Sequence, residues 1–434
     1  MAASEISAPV SSRRGWYVVV VCMLAYVLSF VDRQILGLLI GPIKADLGIS
    51  DTQFALLHGF AFSLFYATLG VPIAGLADRS SRPRVIGWGI AVWSVATAAC
   101  GLAGSFGGLF AARVMVGAGE GALSPASYSL IHDLFAREKL GRALGVFSLG
   151  SFLGAGLAFL TGGAVIAMVS GHGPVAVGPV VMRPWQVCFL LVGLPGLLLS
   201  ALVALTIRDP RAAAMEGPGL GAVWAMLRQH RAIFGPTLLG YGLSGWALFG
   251  ALAWAPAVLM RGFAYSPAQA GLWLGAAAIV AGGSGAFTSG WLLDRLARAG
   301  RGDAPLLVGM IGSAGSALFG VALALAQGTG AGLVVITGLL FFASFPITPS
   351  STLVQIVAPP QMRARVSAIL ICCTSLCGAG LGTLLIGLLN DHLFGTGAGV
   401  TYSLASIVML GGMGAVLVLS RGCAALRALA TLRA

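Results

Sequence analysis

The sequence predicts an all-α membrane protein with twelve transmembrane helices arranged as two six-helix bundles. Three observations carry this prediction: the composition, the spacing of the apolar runs, and the distribution of the basic residues. The 434 residues are 58% hydrophobic and 9% charged, whereas soluble domains are roughly 45–50% apolar and about 25% charged. A surface this poor in charge excludes a soluble enzyme, a nucleic-acid-binding protein and a disordered chain.

Twelve apolar runs are long enough to cross a bilayer, because a spanning helix needs about 20 residues. The first run follows a polar segment, residues 1–14, and is too long to be the core of a signal peptide. The predicted spans are 15–41, 52–76, 84–104, 107–131, 140–169, 184–207, 231–260, 267–293, 305–327, 331–357, 364–390 and 400–421.

The basic residues predict the orientation of these spans. Of the 25 Lys and Arg residues, 20 fall on the side that both termini share. Only Lys44, Arg183 and Arg261 fall on the opposite side, and Arg33 and Arg113 lie inside spans. The positive-inside rule therefore places both termini in the cytoplasm. It also explains the net charge of +12 without a nucleic-acid partner. The Arg/Ala/Gly-rich composition and short loops indicate an integral protein of a bacterial inner membrane.

The longest connection on the terminal side divides the chain into two halves. We expect an N-terminal bundle over residues 1–207, a linker over 208–230 and a C-terminal bundle over 231–434. A weak repeat supports this division, since the Asp-Arg pairs that begin at Asp78 and Asp294 lie 216 residues apart. Two bundles related in this way predict a substrate site between them near the membrane midplane.

Four formal charges lie well inside the predicted spans, where each costs about 2.5–3.5 kcal/mol and usually pairs or faces a cavity. They are Asp32, Arg33, Arg113 and Glu120. Arg113 and Glu120 are seven residues apart on one helix face, and Asp32 lies at a depth between them, so we expect the carboxylates to flank Arg113. Arg33 then points toward the cavity edge or a neighbouring helix. His58 lies at a depth close to that of Arg113, where it either takes part in titration or makes a hydrogen-bonded contact with a helix.

Such a site can load and release a proton. A low dielectric favours the neutral carboxyl group, and a nearby Arg favours the charged one. The alternative is a static ion pair that fixes helix packing.

The motifs also carry a family resemblance. Residues 75–84 (GLADRSSRPR) resemble the loop between the second and third helices of the major facilitator superfamily, departing from it at Ser81 and Pro83. Within that superfamily, residues 31–33 (VDR), 113–121 (RVMVGAGEG) and the following Ser124-Pro125 resemble the spinster family. This resemblance implies the major facilitator fold and makes the four buried charges the residues of proton coupling and substrate handling. We assign proton coupling to Asp32 and Glu120, and substrate binding to Arg33, Arg113, Ser124 and His58.

The loop motif predicts a gate on the cytoplasmic side. In this interpretation Asp78 pairs with a neighbouring helix end, while the basic residues bridge to acidic partners and hold the outward-facing state. The alternative is that the positive charges only fix orientation. The predicted gate residues are Gly75, Asp78, Arg79, Arg82 and Arg84.

The predicted function is proton-coupled transport of amphipathic molecules. The C-terminal spans carry no formal charge, and Pro346 and Pro349 predict a bend in the tenth span. One charged half and one apolar half suit a substrate with an anionic or zwitterionic head and an alkyl tail. Spinster-like proteins are similar to exporters of sphingosine 1-phosphate and lysophospholipids, so we expect a lysolipid-like substrate and a monomeric transporter surrounded by membrane lipids.

Two alternatives remain open: a transporter of small organic anions or drugs, and a lipid sensor that does not transport. An enzyme is not expected, because no nucleophile–base constellation, Walker loop or HExxH motif is present. The seven Cys residues lie in or beside apolar runs, where they pack as small apolar side chains. We expect no metal and no cofactor apart from protons.

Overall fold

The computed structural model describes residues 12–135, 137–169, 175–177, 180–210 and 219–433. These parts are almost entirely helical, and they contain a long helical segment at each of the twelve predicted spans. The all-helical fold class is therefore confirmed. We label the segments α1 (Ser12–Leu38), α2 (Asp51–Ala55, Leu56–Phe60 and Ala61–Arg79), α3 (Arg82–Cys100), α4 (Phe106–Glu120 and Leu123–Leu134), α5 (Arg137–Val169), α6 (Pro184–Thr206), α7 (Arg231–Ala257 and Val258–Gly262), α8 (Pro267–Ala277, Ala278–Gly282 and Gly283–Arg298), α9 (Ala304–Leu325), α10 (Thr329–Ala343 and Ile347–Val357), α11 (Arg363–Thr374, Ser375–Gly382, Thr383–Leu389 and Asn390–Phe394) and α12 (Val400–Arg433).

Ten of these helices in the described residues are long and apolar enough to cross a membrane by themselves. The other two, α3 and α4, depend more on their neighbours. The first turn of α3 contains Arg82 and Arg84, which lower its apolar character. Helix α4 is divided into two pieces and contains Arg113 and Glu120. Both helices pack against the other helices of the N-terminal half.

Helices α4 and α10 are broken in the same way. The first piece of α4 ends at Glu120, and the first piece of α10 ends at Ala343, which lies 223 residues later in the chain. In each case a proline, Pro125 or Pro349, is the third residue of the second piece. Proline is tolerated there because the first N–H groups of a helix have no intrahelical partner. The predicted bend in the tenth span is confirmed.

Three features were not predicted. Helix α12 continues to Arg433, and at about 1.5 Å per residue it is longer than a membrane core of about 30 Å. A short helix, Leu220–Gln229, lies in the predicted linker and buries Val223 against the C-terminal half. Between α5 and α6, strands Val175–Val177 and Val180–Met182 pair antiparallel. The division of the chain at residues 208–230 stays a prediction.

The two ends of the molecule differ in how the halves meet. We call the end that contains both chain termini the basic end, and the opposite end the Asp51 end. Helices α2 and α11 touch closely toward the Asp51 end, where a Cβ atom added at Gly387 would lie 2.8 Å from the carbonyl oxygen of Asp51. A Cβ atom at Gly59 would collide with the Ala379 carbonyl. The halves can close here only because these residues are glycines.

Candidate functional site

A buried ion pair joins α1 to α4. Arg33 Nε and Nη2 lie 2.7 Å and 2.5 Å from Glu120 Oε2. The Ser29 hydroxyl donates to the same oxygen at 2.5 Å, and Arg33 Nη2 also donates to Ser29 Oγ at 3.3 Å. Ser29 and Arg33 are one turn apart on α1, so one face of that helix supplies every donor. The Arg33 guanidinium also lies 4.2 Å above the ring of Phe62 from α2, a cation–π contact.

The two oxygens of Glu120 are in different environments. Oε2 receives donors from both Arg33 and Ser29, whereas the buried Oε1 has no hydrogen-bond partner among the described residues. A buried oxygen without a partner costs about 1–3 kcal/mol. It can recover part of this energy by gaining a proton or an external donor.

Asp32 does not pair with Arg33, the residue that binds Glu120. Its Oδ2 accepts a hydrogen bond from Thr97 on α3 at 3.0 Å, and its buried Oδ1 has no partner within the described parts of the chain. The side chain is almost completely buried. Asp32 is therefore a second partly satisfied carboxylate, one residue before Arg33 on α1.

Arg113 corrects the predicted geometry. We expected the carboxylates to flank Arg113, but its Nε donates to the backbone carbonyl of Leu57 at 3.3 Å, and its Nη1 lies 3.5 Å from the backbone carbonyl of Asp32. Its Nη2 has no partner among the described residues. Arg33 takes the Glu120 carboxylate instead, because α1 and α4 face each other through the side of α1 that contains Ser29 and Arg33. The guanidinium of Arg113 is thus buried and incompletely bonded.

His58 and Ser124 are both buried near this group. His58 lies in the π-helical turn Leu56–Phe60 of α2, directly after the residue whose carbonyl accepts from Arg113, and its Nε2 has no partner in the described part of the chain. Ser124 is the second residue of the lower piece of α4, just beyond the break. The structure therefore brings both predicted substrate contacts to the side of α1 and α4 that contains the charges.

A small cleft between the halves begins next to Glu120. It is lined by Tyr66 and Gly70 of α2, Gly121 and Pro125 at the break in α4, and Cys372 of α11. The Cys372 thiol lies 3.1 Å from a backbone carbonyl of α2 and marks where the halves meet above the cleft. The break in α4, which directly follows Glu120 in the chain, thus lies at the boundary between the halves.

The predicted loop motif at the basic end contains one strongly bonded residue. Arg82 is completely buried and binds Asp209 at 2.6 Å and Asp133 at 2.7 Å. It ties together the ends of α3, α4 and α6, all within the N-terminal half. Arg84 is exposed.

The other motif positions carry less information. An added Cβ atom at Gly75 would meet no atom within 4 Å, so no close approach requires glycine there. The side chains of Asp78 and Arg79 lie outside the described residues. The gate role of the motif stays a prediction.

An ion cluster at the Asp51 end was missed by the sequence analysis. The buried carboxylate of Asp51 pairs with Lys44 of its own half and with Arg261 of α7, whose Nη1 lies 2.7 Å from Oδ2. Asn390 of α11 donates to the same oxygen at 3.1 Å. This cluster joins the two halves.

A second contact at this end caps α2 from the opposite half. The backbone N–H groups of Asp51 and Thr52 donate to the Asp391 carboxylate at 3.1 Å and 2.7 Å. Helix α2 also has its own capping box, formed by Ser50 and Gln53. Carboxylates stabilise helix N-termini, so Asp391 attaches the end of α11 to the beginning of α2.

This architecture defines a class of protein. Two helical halves with a buried carboxylate–arginine pair beside the boundary between them form the layout of a secondary transporter that works by alternating access. The chain belongs to the Major Facilitator Superfamily, whose sequence profile matches residues 22–383.

Comparison with solved structures confirms the predicted spinster resemblance. The chain is similar to the crystal structure of a bacterial homologue of the human lysosomal transporter Spinster, in an inward-facing and unoccupied conformation. The TM-score is 0.74 at 25% sequence identity, and the match covers 97% of this chain and 98% of that chain.

Two bacterial relatives match over most of their length. An MFS-type efflux pump of Mycolicibacterium smegmatis is 28% identical over 88% of this chain and 86% of its own. A probable L-galactonate transporter of Escherichia coli is 24% identical over 80% of this chain and 76% of its own. The first name states no substrate and the second states L-galactonate, so the two relatives support the transporter class and leave the substrate open.

Proposed function

We propose that this transporter moves amphipathic, lysolipid-like molecules with an anionic or zwitterionic head, and that protonation of Glu120 and Asp32 drives the cycle. The observation that carries the proposal is the Glu120 carboxylate, whose Oε2 is paired with Arg33 while its buried Oε1 has no partner among the described residues. A carboxylate balanced in this way changes its bonding when it gains a proton.

The unequal distribution of charge supports an amphipathic substrate. Arg33, Arg113, Ser124 and His58 lie in the N-terminal half, and Arg113 Nη2, which has no partner within the described residues, would bind an anionic head. The C-terminal spans carry no formal charge in their interiors, and in this proposal their apolar side chains hold the tail. In this proposal a head group satisfies Arg113 while the Arg33–Glu120 pair responds to protons.

The orientation and setting complete the proposal. The basic end faces the cytoplasm of a bacterial inner membrane, and the protein works as a monomer. The loop motif around Arg82 then forms part of the cytoplasmic gate, and the cluster at Asp51 closes the outer side.

A second candidate function is efflux or uptake of small organic anions or drugs through the same charges. The two bacterial relatives favour it, because one is named an efflux pump and the other a probable L-galactonate transporter. We place lysolipids first because the match to the solved spinster homologue covers 97% of this chain.

The test is flux in proteoliposomes with and without a pH gradient. A panel of labelled lysophospholipids, sphingosine 1-phosphate, galactonate and a drug cation is measured on the wild type, Asp32→Asn and Glu120→Gln. We expect gradient-driven flux of a lysolipid in the wild type only, with counterflow retained in at least one variant because the neutral side chain resembles the protonated form.

Thermal stability of the same variants separates coupling from packing. A static ion pair predicts that stability and every form of transport decline together. Full gradient-driven flux in both carboxylate variants would exclude proton coupling through these residues, and flux of galactonate alone would select the second candidate.

A further inference from the structure

The hydroxyl of Ser29 bridges the ion pair between α1 and α4. Ser29 is almost completely buried, donates to Glu120 Oε2 at 2.5 Å and accepts from Arg33 Nη2 at 3.3 Å. An arginine has donors only, whereas a hydroxyl can both donate and accept. Ser29 is therefore the one partner of Glu120 in the described residues that can accept a hydrogen bond as well as donate one.

We infer that Ser29 is a positioning residue for the protonation of Glu120, and that the proton binds at Oε1. Three donor atoms of Ser29 and Arg33 contact Oε2. A proton bound to that oxygen would therefore face the hydrogen atoms of these donors. Oε1 is buried and has no such donor in the part of the chain that the structure describes, and the next residue, Gly121, lines the cleft between the halves. This inference rests on the proposed function.

The two partners then act differently during protonation. When Glu120 is neutral, its attraction to Arg33 falls, and Arg33 can turn toward Phe62 and Tyr66, whose rings already lie 4.2 Å and 5.0 Å from the guanidinium. Ser29 keeps the carboxyl group in place throughout. Without Ser29 the charged form loses a short charge-assisted hydrogen bond, which is stronger than the bond to the neutral form.

Several other titratable groups surround Glu120, and they are common to every serine variant proposed here. Apart from Arg33, which is itself bonded to Ser29, they should therefore contribute equally in those variants. Asp32 and Arg33 on α1 interact electrostatically with Glu120 itself. The next groups out are Tyr26 and Tyr66 beside Arg33, Arg113 beside Asp32, and His58 and Cys100 beside Arg113.

The experiment titrates Glu120 directly by infrared difference spectroscopy of the whole protein in lipid nanodiscs, without added substrate. The carbonyl band of the protonated carboxyl group is assigned by its loss in Glu120→Gln. In Ser29→Ala we expect the midpoint of this band to move to higher pH by about one unit, the difference between a charge-assisted and a neutral hydrogen bond. Ser29→Thr keeps the hydroxyl and should titrate like the wild type.

The matched control is Ser94→Ala on α3. Ser94 is equally buried, but its hydroxyl has no hydrogen-bond partner in the described part of the chain, so its removal should leave the midpoint unchanged. If Ser29→Ala does not fold, Ser29→Cys supplies a weak donor of similar size and should shift the midpoint in the same direction by less.

The outcomes separate this inference from the proposed function. A Glu120 band that titrates at the same pH in the wild type and the Ser29 variants overturns the positioning role and leaves proton coupling intact. An equal shift in Ser94→Ala also overturns it. A carboxyl band that does not change in Glu120→Gln, together with retained gradient-driven flux, removes the proposed function itself.

Discussion

Helices α4 and α10 occupy corresponding places in the two halves and break at the same point, yet they differ in chemistry. The residue before the break is Glu120 in α4 and Ala343 in α10, and both are 1% exposed. Seven residues earlier stand Arg113 and Ile336, both completely buried. The shared backbone geometry therefore does not depend on the charges. What the two breaks share is a proline as the third residue of the second piece, whereas only α4 has ionisable groups at these positions.

The largest effect is expected when Glu120 of α4 is replaced by alanine, the residue that α10 has at the corresponding position. Glu120→Ala leaves the Arg33 guanidinium largely buried without its carboxylate, so we expect a loss of about 3–5 kcal/mol of stability and no gradient-driven transport. The double variant Arg33→Met/Glu120→Leu should recover most of the melting temperature, because an apolar pair of similar volume replaces the ions. Recovery of gradient-driven flux in the double variant would show that the pair is structural.

The reverse change should be nearly as large. Ala343→Glu places a carboxylate in the apolar half without any counterpart of Arg33 or Ser29, and a charge at this depth costs about 2.5–3.5 kcal/mol. Ala343→Met is the control, since it adds similar volume without charge. Melting temperatures in detergent measure both. Equal stability of the two variants would mean that the C-terminal half tolerates a charge as well as the N-terminal half does.

A smaller effect is expected at the Asp51 end, where the C-terminal half contributes charged residues. Arg261→Gln removes the bond from α7 to the buried Asp51, and hydrogen bonds to charged groups contribute about 1.5–3 kcal/mol. The population open at the Asp51 end should rise about tenfold or more. Arg183→Gln is the matched control, because Arg183 pairs with Asp46 of its own half at 3.4 Å.

Spin-label distances across the Asp51 end report this population. Open fractions that rise equally in the Arg261 and Arg183 variants would show that the pairing between halves is not what closes this end.

The smallest expected effect concerns Asp303, a buried carboxylate just before α9. It pairs with Arg301 at 3.1 Å and Arg427 at 3.6 Å, and its hydrogen bond and charge raise the pKa of Arg301. Because both arginines are exposed and solvent screens their charges, Asp303→Asn should lower the melting temperature by less than any variant above. The exposed Asp294→Asn should change the melting temperature less. A loss above that of Ala343→Glu would reverse the ranking of the two positions.

The sequence was sufficient to predict the buried charges but not their pairing. Asp32, Arg33, Arg113 and Glu120 are conspicuous because charge inside a span is expensive. The partner of Glu120 depends on how α1 is rotated toward α4, which helical spacing within one chain segment does not determine. Ser29 gave no signal, because a serine in a span commonly bonds its own helix.

The cluster at Asp51 was hidden for a different reason. Asp51, Asp391 and Arg261 lie at the ends of spans, where charges are ordinary and each residue alone is uninformative. A signal was present in their number: three acidic residues, Asp46, Asp51 and Asp391, accompany only three basic ones on that side. Equal numbers at the sparsely charged end are consistent with pairing, although they do not indicate which residues meet.

The way Asp51 is shared sets the range over which the closed end holds together. Asp51 and Lys44 belong to the same half, and Arg261 and Asp391 belong to the other. The charged residues that each half contributes to this contact therefore sum to zero. The attraction between the two halves falls with distance as it does between dipoles rather than between ions. The contact therefore holds the two halves together only at short range. Once the halves have separated by several ångströms at this end, the attraction between them is weak. The open state therefore has little electrostatic penalty from the charges that stabilise the closed state.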